Sequence, residues 1–414
     1  MGRDGREQGG GITLDPVPAP NSVLARVQLD NTFAVMRVPG AALLWTKHRE
    51  AKWTIAPRRL REALNMQDPV KDAIRDAFMA LDVTNASILM NEASGNAPVL
   101  EARLAIENAV PESAVVWEVL SAGQGRIWIN DAFRGSAGLA TRLTWTLPLL
   151  WEYHRGGDVV PGLVGVNLGD ADYIPGIAFC SSNPEIELVP DPEFMDLEGY
   201  RNLRQSISEA NVPWEKRIGI AFWRGSTTGI RHPREWRTLP RARLCEITRA
   251  STLFDVGMSS IVQIAEQDII DEIKSSGLMR DYVPVTQFKN YRYHIDIDGN
   301  TNSWSGLLQK LLSGGTVLKV ESERGFRQWY YDRLMPWKNF VPIAADMSDL
   351  VEKVDWLTKN DDSARKIAAA GCALAATIDW PDELRLAAPA ISRAIGKNKL
   401  PLPRGAALSQ ALFQ

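Results

Sequence analysis

Residues 291–320 read YRYHIDIDGNTNSWSGLLQKLLSGGTVLKV, and the fold turns on this stretch. Residues 291–297 have the β-branched and aromatic character of a strand. Asp298, Gly299 and Asn300 turn the chain, because glycine and asparagine tolerate unusual backbone angles. Asn302 or Ser303 then caps a helix, in which Trp304, Leu307, Leu308, Leu311 and Leu312 recur at the helical period. Gly314 and Gly315 stop it, and residues 316–320 form a second strand. A strand, a helix and a strand in one short run define a parallel βαβ unit, in a sheet covered on both faces.

The same rhythm extends outward. Strands are predicted at 218–223, 252–257 and 340–343, with helices near 259–276 and 348–359. Residues 361–395 read as two helices broken at Trp380-Pro381. Toward the N-terminus, 159–173 is a strand running into a polar loop, and AVVWEVL (114–120) and RIWIN (126–130) are strands around a turn. Residues 136–154 are helical, with Pro148 kinking or ending the pattern. A short strand is predicted at 86–90, a helix at 68–81 capped by Asp68, and a strand at 23–37. Two α/β halves joined near 200–216 leave a cleft between them, and ligands of such sheets sit beyond the carboxyl ends of the strands.

Composition narrows the function. The chain has 414 residues, 45% hydrophobic and 23% charged, with a net charge of −3. At roughly 100–200 residues per domain, two or three domains are expected. The charge argues against a nucleic-acid partner, which calls for a basic patch. Cys180, Cys245 and Cys372 are scattered and odd in number, against a disulfide framework. His48, His154, His232 and His294 stand apart, so a histidine metal site has little support. The first residues lack the apolar segment of a secretory signal, and no apolar run is long enough to span a membrane. The expectation is a cytoplasmic protein with at most peripheral membrane contact. Fourteen tryptophans suit either stacking on sugar rings or ordinary packing.

Three loops carry candidate chemistry. In FWRGSTTG (222–229), Arg224 ends a buried strand, where a charge needs a partner: an anionic ligand, or a carboxylate elsewhere in the chain. Gly225 permits close approach, and Ser226, Thr227 and Thr228 donate hydrogen bonds. The loop 298–303 leads to a helix start whose free N–H groups suit phosphate oxygens, or is an ordinary capped turn. In NLGDADY (167–173), Asp170 or Asp172 offers a carboxylate for general-base work, or serves as a turn residue. No dinucleotide, Walker, HExxH or GxSxG motif stands in a suitable context.

Taken in order, DVVPGLVGVNLGD (158–170), AFWRGSTTG (221–229), LFDVG (253–257), residues 288–320, WYYDRLMPWKNFVPI (329–343) and LTKNDDSARKIAAAG (357–371) resemble glycosyltransferase family 90. That family holds capsule xylosyltransferase-like proteins, protein O-glucosyltransferases and bacterial lipopolysaccharide-modifying relatives. The likeness covers roughly residues 160 to 380. It implies an α/β fold of GT-B type, two Rossmann-like domains facing a central cleft. The domain division it implies is a disordered segment 1–20, an acceptor-side domain 21–210, a nucleotide-sugar domain 211–380, and a C-terminal helix and tail 381–414 packing back on the first domain. It also implies inverting, metal-independent transfer of glucose or xylose from a UDP-sugar to a hydroxyl of a glycan or lipid-linked saccharide acceptor, of lipopolysaccharide or capsule type. Asp170 falls on the family's base. Arg224, Gly225, Ser226, Thr227, Gly299, Asn300, Thr301, Asn302, Ser303 and Lys319 fall on or beside its donor site. Where Rumi-like members carry an arginine two residues past the loop serine, this chain has Ser305. A decayed, non-catalytic sugar- or nucleotide-binding scaffold is the alternative.

Overall fold

A computed structural model describes residues 22–29, 32–39, 68–106, 110–209, 212–229, 232–302, 304–397 and 400–405. Residues 1–20, Ser303 and the tail beyond 405 lie outside the described residues. The chain divides into two compact units, Met1–Asp72 and Ala73–Gln414. In the first, β1 (Ser22–Leu29) and β2 (Thr32–Pro39) pair antiparallel. The predicted single strand over 23–37 is therefore a two-stranded ribbon.

The second unit is α/β and holds two sheets. The first has β3 (Val99–Leu104), β4 (Ala114–Ser121), β5 (Gln124–Ile129), β6 (Gly162–Asn167), β7 (Gly176–Ala178) and β8 (Glu187–Leu188), in the order β3-β5-β4-β6-β7-β8. Only β4 runs against its neighbours, because a tight turn joins it to β5. The second sheet has β9 (Ile218–Ser226), β10 (Phe254–Ser260), β11 (Tyr291–Asp296), β12 (Thr316–Val320) and β13 (Val341–Ile343), in the order β10-β9-β11-β12-β13. All its pairs are parallel. Every residue of β12 is buried, as a strand covered on both faces requires. These two sheets, each flanked by helices, are the two halves of the expected GT-B arrangement, and the loops after β6 and after β11 meet in the cleft between them.

The helices are α1 (Pro69–Met79), α2 (Val83–Ser94), α3 (Ala137–Arg155), α4 (Pro192–Asp196), α5 (Arg201–Glu209), α6 (Pro240–Thr248), α7 (Gln267–Ser275), α8 (Trp304–Leu312), α9 (Leu350–Lys359), α10 (Asp361–Thr377), α11 (Trp380–Leu386) and α12 (Ala388–Lys397). The strand predicted at 86–90 is helix. Asp82 caps α2 by accepting from the Asn85 amide, and Ala86, Met90 and Ser94 form its buried face. A five-residue apolar run does not by itself distinguish the two periods. Pro148 lies inside α3 without ending it. Pro381 opens α11 rather than merely breaking the tail. Helix α12 is tied to the first sheet's side of the molecule: Ser392 meets the Tyr153 hydroxyl at 2.9 Å, and Arg393 and Lys397 hold Glu187.

Below α8 lies a buried acidic spot. Asp191 accepts from the Phe194 amide at 2.9 Å and so caps α4, while its Oδ2 is buried with no partner among the described residues. Burial, helped by the neighbouring Glu193 charge, pushes the Asp191 carboxyl up to about 7 from an ordinary 3.8. The stabilisation of the protonated folded form is complete below pH 3.8 and is lost as pH rises through about 7. Asp191→Asn keeps the capping oxygen and removes the ionisation. It is expected to flatten the decline of melting temperature over that window and to raise it at pH 8. An unchanged slope in thermal scans would contradict this account.

Candidate functional site

In the second sheet the chain leaves β9 toward one edge and β11 toward the other, so the strand order reverses between them. Ligands of open α/β sheets sit in the crevice at such a switch point. The segments leaving those strands are 227–229 and 297–302, which carry Thr227, Gly299, Asn300, Thr301 and Asn302 of the residues singled out in the sequence.

Arg241, from α6, ties these two segments together. Its Nε donates to the Asp298 carbonyl at 3.0 Å. Its Nη1 donates to the Thr228 hydroxyl at 2.5 Å and the Ser226 carbonyl at 3.2 Å, and Nη2 reaches the Ile297 carbonyl at 3.5 Å. Burial pulls this guanidinium down to about 10, against the opposing charges of Asp296 and Asp298. It remains a cation at neutral pH, with no carboxylate in ion-pair contact among the described residues. Gly299 is required beside it: a Cβ there would lie 2.4 Å from the Thr228 hydroxyl and 2.8 Å from Arg241 Nη2.

Asn300 joins the two halves. Its Oδ1 accepts from the Gly229 amide at 2.7 Å, and its Nδ2 donates to Asp170 Oδ2 at 3.1 Å. Asp170 follows the end of β6, is half-buried and lines the smaller of two hollows. Two hollows share Gly299 and Asn300. One, of about 220 Å³, lies over the carboxyl ends of β11 and β12 and is lined by Glu235, Asp298, Glu321 and Phe326. The other, of about 160 Å³, has Arg142 and Asp170 on one side and Thr228, Arg241, Asn302 and Trp304 on the other.

The expected residues separate into two groups. Asp170, Gly299, Asn300, Thr301 and Asn302 line the smaller hollow, and Ser226 lies within reach of Arg241. Arg224 does not join them. Side chains alternate along a strand, so Trp223 faces Arg241 while Arg224 faces the other side. There Arg224 stacks over Phe222 and pairs with Asp255 at 2.6 Å, with further bonds to the Asp255 and Asp281 carbonyls. The second of the two partners open to it in the sequence, a carboxylate of the chain itself, is the one it has. Lys319 is likewise spent: with Lys310 it holds Asp296, its cross-strand neighbour. The Thr227 hydroxyl is closed on both sides by the Val262 backbone. Gly225 is fixed by packing, since a Cβ would meet the Trp223 ring at 2.4 Å. Thr301 accepts from the Cys180 thiol. Asp172 is engaged by the Ser181 hydroxyl at 2.6 Å, so of the two aspartates it is Asp170 that lines the smaller hollow. Ser305 faces Glu193, whose carboxyl burial raises and the Ser305 hydrogen bond lowers, with a net upward shift. The free N–H groups expected at the helix start are also reduced, because Trp304 N bonds the Asn302 carbonyl.

Arg224→Ala is therefore expected to cost about 2 kcal/mol of stability, by leaving Asp255 and two carbonyls without their donor. Nucleotide affinity should not move. Urea unfolding and a nucleotide titration together check this, and a variant of normal stability that loses nucleotide would restore Arg224 to the site.

Most of the buried tryptophans pack the core: Trp117, Trp236 and Trp223 are nearly inaccessible. Trp304 differs, lying in the cleft with Arg142 over its ring at 4.9 Å and Phe179 at its edge. Neither Arg241 nor Arg142 is a candidate by sequence reasoning. Neither is marked by a motif: Arg241 sits inside α6, just after Pro240, and Arg142 inside α3.

A two-sheet α/β protein with its polar cleft at a strand-order reversal, carrying a half-buried carboxylate opposite a buried cation, defines a ligand-processing class and no more. The sequence pattern of glycosyl transferase family 90 matches residues 170–377, half of the chain, and the chain belongs to that family. It is 30% identical over 229 residues to protein O-glucosyltransferase 2 of Danio rerio, covering 51% of this chain and 42% of the relative. It is 28% identical over 224 residues to protein O-glucosyltransferase 3 of Homo sapiens, covering 52% and 41%. The matched region thus spans about two fifths of the length of these relatives. Among solved structures, Anabaena HepE in complex with UDP-glucose is similar over 82% of this chain and 84% of its own, at 9% identity and a TM-score of 0.33. Among the described residues no helix is long and apolar enough to cross a membrane.

Proposed function

We propose that the chain transfers a sugar, glucose or xylose, from a UDP-sugar to a hydroxyl, with inversion and with no need of a divalent ion. The observation that carries this reading is Asp170, held by Asn300 at the edge of a hollow whose far wall bears the Arg241 charge. In this reading the nucleoside occupies the larger hollow, where two of the carboxylates Glu235, Asp298 and Glu321 accept from the two ribose hydroxyls. The diphosphate lies at the margin the two hollows share, and the sugar lies beside Asp170. Asp170 takes the acceptor's proton, the freed oxygen attacks the anomeric carbon, and the bond to the diphosphate breaks with its electron pair leaving on UDP. Attack from the face opposite the leaving group inverts the centre. Fixed charge that awaits the growing negative charge supplies the main stabilisation.

The acceptor has two readings. Family resemblance gives a lipopolysaccharide- or capsule-type glycan in a cytoplasmic setting. The matched relatives are named as protein O-glucosyltransferases, which favours a protein hydroxyl. The test is a panel of UDP-sugars, scored for UDP release with and without glycan and protein acceptors, in EDTA and in added magnesium. Release from at least one donor, unchanged by EDTA, is expected. Binding of UDP with no release from any donor would leave a nucleotide-binding protein instead.

A further inference from the structure

The donor's diphosphate needs hydrogen-bond donors as well as charge, and several groups of the second half that border the smaller hollow are already engaged. Arg241 spends its fork on the Ser226, Ile297 and Asp298 carbonyls and the Thr228 hydroxyl. Among the amides, Gly229 N is taken by Asn300, Gly299 N by the Thr301 carbonyl, and Trp304 N by Asn302. Arg241 thus contributes field more than contacts.

Arg142 is the opposite case. It projects from α3, in the first half, into the same hollow. Its guanidinium carries five donors, and among the described residues its side chain makes one hydrogen bond, from Nη1 to the Leu168 carbonyl at 2.9 Å. It rests over the Trp304 ring at 4.9 Å and pairs with no carboxylate among the described residues. The Leu168 bond and the indole face fix its plane, so little entropy is left to lose when it meets an oxyanion. A guanidinium fork matches phosphate oxygens two at a time.

We infer that Arg142 binds the donor's diphosphate from the first half, opposite Arg241, so that the nucleotide itself joins the two halves across the cleft. This rests on the UDP-sugar reading. It makes Arg142 a donor-binding residue carried by the half that also carries Asp170.

The test is calorimetric titration of the full chain and of its Arg142→Gln and Arg142→Lys variants with UDP and with uridine. Arg142→Gln is expected to weaken UDP by at least about tenfold, the value of one charge-assisted contact. Uridine should bind it as it binds the unaltered chain, and lysine should recover part of the loss. Equal UDP affinity in the unaltered chain and Arg142→Gln overturns the inference and leaves the UDP-sugar reading standing. Equal weakening of UDP and uridine also overturns it, because that marks a structural role. An unaltered chain that binds neither ligand removes the UDP-sugar reading and this inference with it.

Discussion

Asp170→Asn is expected to lower turnover by about 10²–10⁴-fold, the usual worth of a positioned base. The size and shape of the side chain are kept, and the amide can turn its oxygen to Asn300, so the link between the loops after β6 and β11 survives. What is lost is the ability to take a proton from the acceptor hydroxyl. Affinity for UDP should stay within about twofold, because no charge that meets the phosphates has changed. That pairing of a collapsed rate with intact nucleotide binding is the signature to look for, in steady-state UDP release and in a UDP titration of the same preparation. Asp172 is the control: its carboxylate is occupied by Ser181, and its amide variant should turn over normally. A rate in Asp170→Asn above a tenth of the unaltered value, or a comparable loss in Asp172→Asn, would move the base elsewhere.

The strands of the second sheet were legible because each is an apolar run closed by a glycine-rich or polar turn, and the boundaries at 316–320 coincide with β12. The loops that line the crevice were legible for the same reason: they follow those strands. What local pattern could not reveal is which face of β9 looks into the crevice. One residue of alternation decides between Trp223 and Arg224, and the run is apolar on both faces. An arginine at the end of a buried strand reads identically whether its partner is a phosphate or Asp255, a residue 31 positions away in sequence. Lys319 misled in the same manner, since its partner Asp296 lies on the neighbouring strand. The two arginines that do line the hollow sit inside helices, among residues with no motif. Arg241 reaches the crevice only because α6 packs beneath it, and Arg142 only because the two halves face each other. Such charges are set by tertiary placement, which no single window of sequence encodes.

Arg241→Met is expected to cost about 3 kcal/mol of stability and, at temperatures where the variant is folded, to slow turnover by about 10²–10³-fold. Both effects have one origin. The methionine fills much of the volume but donates nothing, so the Ser226, Ile297 and Asp298 carbonyls, now held by a single fork, lose their donor within a buried site. Among the described residues, the two segments at the strand-order reversal then have only the Gly229–Asn300 bond between them. With that bond alone, Asn300 no longer fixes Asp170 at a constant distance from the phosphates. The charge that the leaving nucleotide would meet is gone as well. Arg241→Lys separates the two contributions. Lysine restores the positive charge, but one ammonium cannot reach acceptors spread around a planar fork. Stability should therefore recover little, while turnover recovers in part. Urea unfolding and UDP-release rates for the three chains decide the matter. If Arg241→Met unfolds and turns over as the unaltered chain does, the buried guanidinium organises neither the crevice nor the reaction.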